Sequence, residues 1–375
     1  MTKRLSLQNG TNEIICLDLM KSFDINSPPW EDMTKTIGLP VLSYNTHIAL
    51  GGKNNSFIFM YSGIEKSLAT FKFQVDKLLY IFDTNTKTWS VPTTANLPQK
   101  PRDAASFTSD GKGNIYLYGG YELNETSSTL ENPPALNDAY VFNTISLSWT
   151  SLNPSLTLLR RAKCSSVFLN DGRILYIGGE SSYGVPYNMT SVYVYNTVYG
   201  MWSEENVDSS EVIVEERIEH SSVLLSNGDI IVYGGWRPGG ATNGTVAQPT
   251  LVILETKSMF RWRKQNVTGK FLHLNRHSCH IVNNRYMFVA YGHTIEGTVT
   301  VSRNELYILG TTNYTWITRF GQNLFDETIS PKNSNNSLII GFLIFTSILA
   351  AVLTVILTTI LVSQCYHKRR ILRIY

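Results

Sequence analysis

Arg102, Arg161 and Arg217 each stand 18 residues ahead of the second glycine of a Gly-Gly pair, Gly120, Gly179 and Gly235. Between each arginine and its glycines lies a turn signal: Asp110-Gly111, Asp171-Gly172 or Asn227-Gly228. An apolar run, a two-residue turn, a second β-branched run and a glycine stop make a hairpin. A third run follows (139–142, 192–195, 251–254), and seven or eight residues after its end comes Trp149, Trp202 or Trp262. The same pattern, more worn, recurs around Ser62-Gly63 and Trp89, and around Arg276, Gly292-His293 and Trp316. Each copy reads as a four-stranded meander, too small to bury both of its faces, so the copies must stack on one another. From Trp30 onward the tryptophans are spaced 59, 60, 53, 60 and 54 residues apart. An unrelated β-sandwich would need those offsets to agree by accident.

These motifs resemble kelch repeats, whose period is roughly 50 residues. The resemblance covers about residues 1–320 and rests on recurrence in register. It implies an all-β, six-bladed β-propeller around a central channel. The Gly-Gly pairs and the tryptophans are then scaffold, the glycines supplying positive φ and the tryptophans packing between blades. The expected domains are a propeller over 1–325, a polar linker over 326–337, a transmembrane helix over 338–362 and a basic tail over 363–375. Counting back from Trp30 puts the first unit's glycine pair within residues 1–7, where none is found. The first blade therefore has its outer half only, and nothing after Trp316 looks like the missing hairpin. The expectation is an N-terminal truncation that removed the inner hairpin and a signal peptide with it.

Charge separates the body from its C-terminus. The net charge is +3, and residues 338–375 carry Lys368, Arg369, Arg370 and Arg373 with no acid. The remainder is near neutral and has no basic stripe, which excludes a nucleic-acid partner. Residues 338–362 are uncharged and mostly apolar, and as a helix would span roughly 37 Å, enough for a ~30 Å hydrocarbon core. The lipid bilayer is thus an expected partner, and the positive-inside rule puts the tail in the cytosol and the propeller outside or in a lumen. Asn54, Asn124, Asn188, Asn243, Asn266 and Asn313 head Asn-x-Ser/Thr sequons and are the N-glycosylation candidates, with Asn9 and Asn335 in the termini. Cys365, beside the basic cluster, is a palmitoylation candidate. None of the four cysteines is in a Cys-x-x-Cys spacing.

Loops leaving the second strand of each unit and loops joining one unit to the next emerge on one face, where binding usually resides. Tyr183, Tyr187, Trp236 and Arg237 offer contact side chains there, and Arg161 and Arg217 approach the channel mouth. These six are the candidate binding residues, although the recurrence of the arginines equally fits a structural pairing between blades. Acidic residues from Glu204 to Glu219 lie near the basic Arg160, Arg161 and Lys163. His273, His277, His280 and Cys279 match no zinc spacing, so no metal site and no cofactor is expected. Cys164, His220 and Cys279 read as one equivalent packing slot. The resemblance extends to the catalytic domain of galactose oxidase, which implies copper-radical chemistry with a Cys-crosslinked Tyr and two His. Here no further domain follows the last unit to supply the distant His, and no nucleophile–base set is visible. The reading is a non-enzymatic, single-pass membrane protein that displays its propeller to a protein or glycan. A tail-anchored cytosolic adaptor is the other topology.

Overall fold

The computed structural model describes residues 11–72, 77–123, 134–152, 159–239, 244–296 and 299–321, and the backbone of 343–346 and 351–354. Five complete four-stranded antiparallel sheets follow one another along the chain. The first has strands His47–Gly51, Phe57–Tyr61, Leu79–Asp83 and Thr88–Ser90. The second runs from Ser106–Ser109 to Ser148–Ser151, and the third from Ser165–Phe168 to Met201–Asn206. The fourth extends from Ser221–Leu224 to Arg261–Lys264, the fifth from Ser278–Val282 to Thr315–Ile317. In every sheet the strand order is the chain order, and the inner strands of successive sheets lie side by side. This is the propeller.

The expected count of six is corrected to five complete blades among the described residues. The sixth sector holds separate two-stranded pieces: Ile15–Leu17 paired with Trp30–Asp32, and Leu343–Thr346 paired with Ala351–Thr354. Leu343–Thr346 lies against the inner strand Ser278–Val282, and Ala351–Thr354 lies against Ile15–Leu17. The described parts of 338–362, where a transmembrane helix was expected, are strands, and they sit where the inner hairpin was missing. An apolar, β-branched run has no periodicity that separates strand from helix, and the ring would otherwise leave two inner strands as open edges. No helix among the described residues is long and apolar enough to cross a membrane. The other residues of 338–362, the linker, Cys365 and the tail lie outside the described residues.

The core lies between blades. Trp149 packs on Phe142 of its own blade at 4.6 Å and on Tyr61 of the preceding one at 5.2 Å. Trp202 meets Tyr195 and, across the seam, Tyr118 in the same way, and Trp316 meets Tyr233. Trp262 is fully buried and donates its Nε1–H to the Met189 carbonyl of the preceding blade at 2.6 Å. The tryptophans pack between blades, as expected.

The glycine pairs serve the same seam. Gly119 and Gly120 have φ of 65° and 89°, and the Gly120 N–H donates to the Arg161 carbonyl of the next blade at 2.9 Å. A Cβ on Gly119 would stand 2.1 Å from that carbonyl oxygen, and one on Gly234 would stand 2.2 Å from the oxygen of Leu274. No side chain fits. Where the pair has decayed, Ser62 and Tyr291 hold the positive φ instead, at 49° and 58°.

Candidate functional site

The pairing across the seams fixes which residues are equivalent. Asp103, Ala162, Ile218 and Asn275 each pair with the residue after the glycine stop: Tyr121, Glu180, Trp236 and His293. One position earlier stand Arg102, Arg161, Arg217 and Leu274. The repeat arginine is thus absent from the fifth blade, and Arg276 sits two positions past it. Leu274, 1% exposed, fills the slot with a side chain that needs no partner.

The true slot arginines are structural. Arg102, with no exposed surface, forks onto Asp138 at 2.6 and 3.0 Å and donates to the Gly119 carbonyl at 3.1 Å. Arg161 donates to the Gly178 carbonyl and lies between the rings of Tyr187 and Tyr193, 4.0 and 4.8 Å from their centroids. Arg217, also fully buried, donates to the carbonyls of Gly234, Gln248 and Pro249, each at 3.0 Å. Burial pushes its guanidinium down to about 10, and the charge of Glu215 offsets that only in part. Arg161 and Arg217, expected as contact residues, are buried and spend these donors on backbone carbonyls. Tyr187, whose hydroxyl donates to the Arg160 carbonyl, supports Arg161.

The next shared position, one residue further into the channel, is where charge gathers. Asn45, Ala104, Lys163, Glu219 and Arg276 have φ between 52° and 56°. Successive members join through the backbone, Lys163 N–H to Ala104 O, Glu219 N–H to Lys163 O and Arg276 N–H to Glu219 O. They form a rim around the channel mouth. Together with Asp103 they line a cavity of about 200 Å³.

Lys163 Nζ is 2.6 Å from Glu180, whose Oε1 also accepts the Tyr121 hydroxyl at 2.5 Å. Arg276 is 2.7 Å from Glu219 and donates to the Tyr44 hydroxyl at 3.1 Å. Burial works to raise the Glu219 carboxyl, but the charges of Arg276 and Lys163 overcome it and hold the group below its usual range. Asp103 goes the other way. Burial raises it, and the more distant Arg276 and Lys163 offset that only in part.

Behind the rim is a slot of imidazoles. His220 Nε2 meets the Ser165 hydroxyl at 2.8 Å, and His277 Nε2 meets that of Ser221 at 2.7 Å. The equivalent residues are Cys164, His220 and His277, so Cys279 does not belong to this set. Burial pushes the thiols of Cys164 and Cys279 up and lowers both imidazoles. His273 faces Thr250 instead.

Around the mouth stand the loops. Tyr183 is 86% exposed, and Val185 and Ile213 are also open. Arg237 reaches Glu215 at 3.1 Å and Glu216 at 3.4 Å, and its strand Trp236–Arg237 pairs with Thr245–Val246. The acidic and basic segments of the sequence are sorted by this geometry. Glu219 and Lys163 come to the rim, Glu215 and Glu216 hold Arg237, and Glu204 and Glu205 lie on an outer strand. Sequence reasoning missed Asp103, Glu180, Tyr121 and Tyr44 at the mouth. Counting two residues on from each slot arginine would have found the rim. Of the sequons, Asn54, Asn188, Asn266 and Asn313 are exposed, and Asn124 and Asn243 lie outside the described residues.

Comparison with known proteins agrees with the geometry. Residues 7–235 match the KLHDC2/KLHL20/DRC7 Kelch-repeats domain. The chain is 26% identical over 166 residues to Kelch domain-containing protein 3 of Bos taurus, covering 42% of this chain and 40% of that protein. It is 22% identical over 219 residues to Kelch domain-containing protein 2 of Bos taurus, covering 56% and 50%. A stretch of 162 residues is 28% identical to Ras guanine nucleotide exchange factor F of Dictyostelium discoideum, covering 43% of this chain and 13% of that protein. The chain spans half or less of the length of these relatives.

Proposed function

As the chain belongs to the KLHDC2/KLHL20/DRC7 kelch-repeat family, we propose that it is a binding propeller which recognises a protein through the loop face around its channel mouth. The observation that carries this is how the polar residues are divided. The repeated ones are consumed by the scaffold: Arg102 on Asp138, Arg217 on three carbonyls, His220 and His277 on serines. The unrepeated Tyr183, Trp236 and Arg237 stand on the loop face, with Tyr183 almost fully exposed. Aromatic and arginine side chains on a rigid scaffold are the usual anchors of protein interfaces. A glycan would use the same face through ring stacking. Proximity labelling with the full-length chain, repeated with Tyr183→Ala, Trp236→Ala and Arg237→Ala, tests the assignment. Unchanged capture by all three refutes it.

Binding rather than catalysis is part of this reading. Stoichiometric copper with peroxide production by the purified protein would instead favour the oxidase alternative. For location, the 25 uncharged residues 338–362 with a basic flank support a single span, the propeller outside the cytosol and Cys365 at the inner leaflet. A second reading follows from the pairing of Leu343–Thr346 with Ala351–Thr354 in the sixth sector. One chain cannot use these residues for both. Alkaline extraction of membranes decides: a spanning segment stays in the pellet, and a ring-closing hairpin releases the protein. A mobility shift with endoglycosidase then separates a luminal propeller from a tail-anchored cytosolic one.

A further inference from the structure

We propose that the channel mouth accepts a single organic cation of the bound protein, a lysine or arginine head group or an amino terminus, and that Asp103 is its counter-charge. The inference rests on the protein-binding reading of this face. Asp103 and Glu219 line the cavity with the cations Lys163 and Arg276, and a third carboxylate, Glu180, reaches it through Lys163. Both cations are already committed, Lys163 to Glu180 at 2.6 Å and Arg276 to Glu219 at 2.7 Å. Asp103 has no committed cation, its donors being the Asn45 side chain and the Ala104 backbone. Its Oδ1 is shut off from solvent and has no hydrogen-bond partner, while its residue lines the cavity. A buried acceptor without a donor costs free energy that a ligand's N–H groups recover.

The sign of the ligand follows from the same arrangement. An anion entering here would face Asp103 and would have to displace Glu219 or Glu180 to reach a cation. A cation meets the carboxylate whose Oδ1 lacks a donor and brings the five groups to neutrality. Size agrees: a cavity of about 150 Å³ holds benzene, so the mouth, at about 200 Å³, takes a guanidinium or ammonium on part of its stem. Among the described residues no group of three His, Cys, Asp or Glu side chains could hold a metal ion. That leaves an organic cation with directional N–H donors.

The test uses full-length protein and acetylated, amidated Gly-Gly-X-Gly-Gly peptides with X as Arg, Lys, Leu or Glu. Pentaglycine amide with a free amino terminus makes the fifth probe. The Arg or Lys peptide, or the free-amine one, should bind at least tenfold more tightly than the Leu and Glu peptides, and whichever leads identifies the source of the cation. Asp103→Asn should remove that preference, and Asp103→Glu should retain part of it. Equal binding of the Glu or Leu peptide to the wild type overturns the proposal whether or not the variants fold. So does an Asp103→Asn protein with a wild-type melting curve and unchanged ranking. If peptide ranking fails while capture still depends on Trp236 and Arg237, the cation site falls and the protein-binding face stands. If capture is indifferent to all of these, the reading of the face falls with it.

Discussion

Replacing Arg102 by Leu asks whether the repeated arginine holds the ring together, because the fifth blade already carries Leu274 in that slot. The two sites differ in what a leucine would strand. Leu274 packs in an apolar cluster with Tyr233, Met287 and Trp316, whereas Arg102 satisfies the Gly119 carbonyl at 3.1 Å and both oxygens of Asp138. Leaving one buried carbonyl without a donor costs about 1–3 kcal/mol. Asp138 is a quarter exposed, so it regains water, and losing its partner adds about 1 kcal/mol rather than the 3–5 of a fully buried pair. The new leucine buries apolar surface and returns part of this. The net expectation is a loss of about 1–3 kcal/mol, a fall in melting temperature of roughly 2–5 °C for a body of this size. Asp138→Asn on top of Arg102→Leu should recover about 1 kcal/mol, since the stranded charge is gone and the stranded carbonyl is not. Urea unfolding followed by tryptophan fluorescence reads all three proteins. A loss below about 0.5 kcal/mol for Arg102→Leu would refute the scaffold argument, and so would a double variant less stable than the single.

Three other outcomes follow from buried groups. Burial holds His47 and His293 down to about 4 and His277 to about 3, below the ~6.5 of an unfolded histidine. The unfolded chain therefore binds protons first, and stability should be level above about pH 6.5 and fall as pH drops toward 4; melting curves across that window should flatten in His277→Gln. Glu65, 1% exposed with neither carboxylate oxygen partnered, is raised well above its usual value by burial. A raised acid stabilises only while protonated, so Glu65→Met should gain about 1 kcal/mol or more at pH 7 and lose that gain below about pH 4, which calorimetry at the two pH values checks. Trp262→Phe removes the donor to Met189 and leaves a void between the third and fourth blades; a loss of about 2–3 kcal/mol in urea unfolding is expected.

The sequence announces the blades because their signals are local. A turn such as Asn227-Gly228 is dictated within one hairpin, and the glycine pair and the Trp recur at a set distance because each seam between blades repeats the last. The seam contacts of the tryptophans follow from the same repetition. Two things were not legible. One is burial of the arginines: a repeated Arg near a channel mouth reads equally as contact or support, and only the carbonyls of Gly234, Gln248 and Pro249 around Arg217 decide. The other is the fate of 343–346 and 351–354, whose composition suits a membrane helix or a buried strand alike.

The rim shows why register outweighs residue type in a repeat protein. Arg276 matches the arginine pattern by eye, yet the pairing of Asn275 with His293 moves it two positions, from the scaffold slot to the axis. At the scaffold slot a cation must be answered within its own blade or bonded to carbonyls. At the rim it is answered within its own blade, as Lys163 is by Glu180, or by the preceding blade, as Arg276 is by Glu219 across the seam. Charges that neighbouring blades share cannot be balanced by any one repeat, so the sum around the ring is free to depart from zero. Here it departs by the one carboxylate of Asp103, at the point where Ala104 gives the second blade no rim charge of its own.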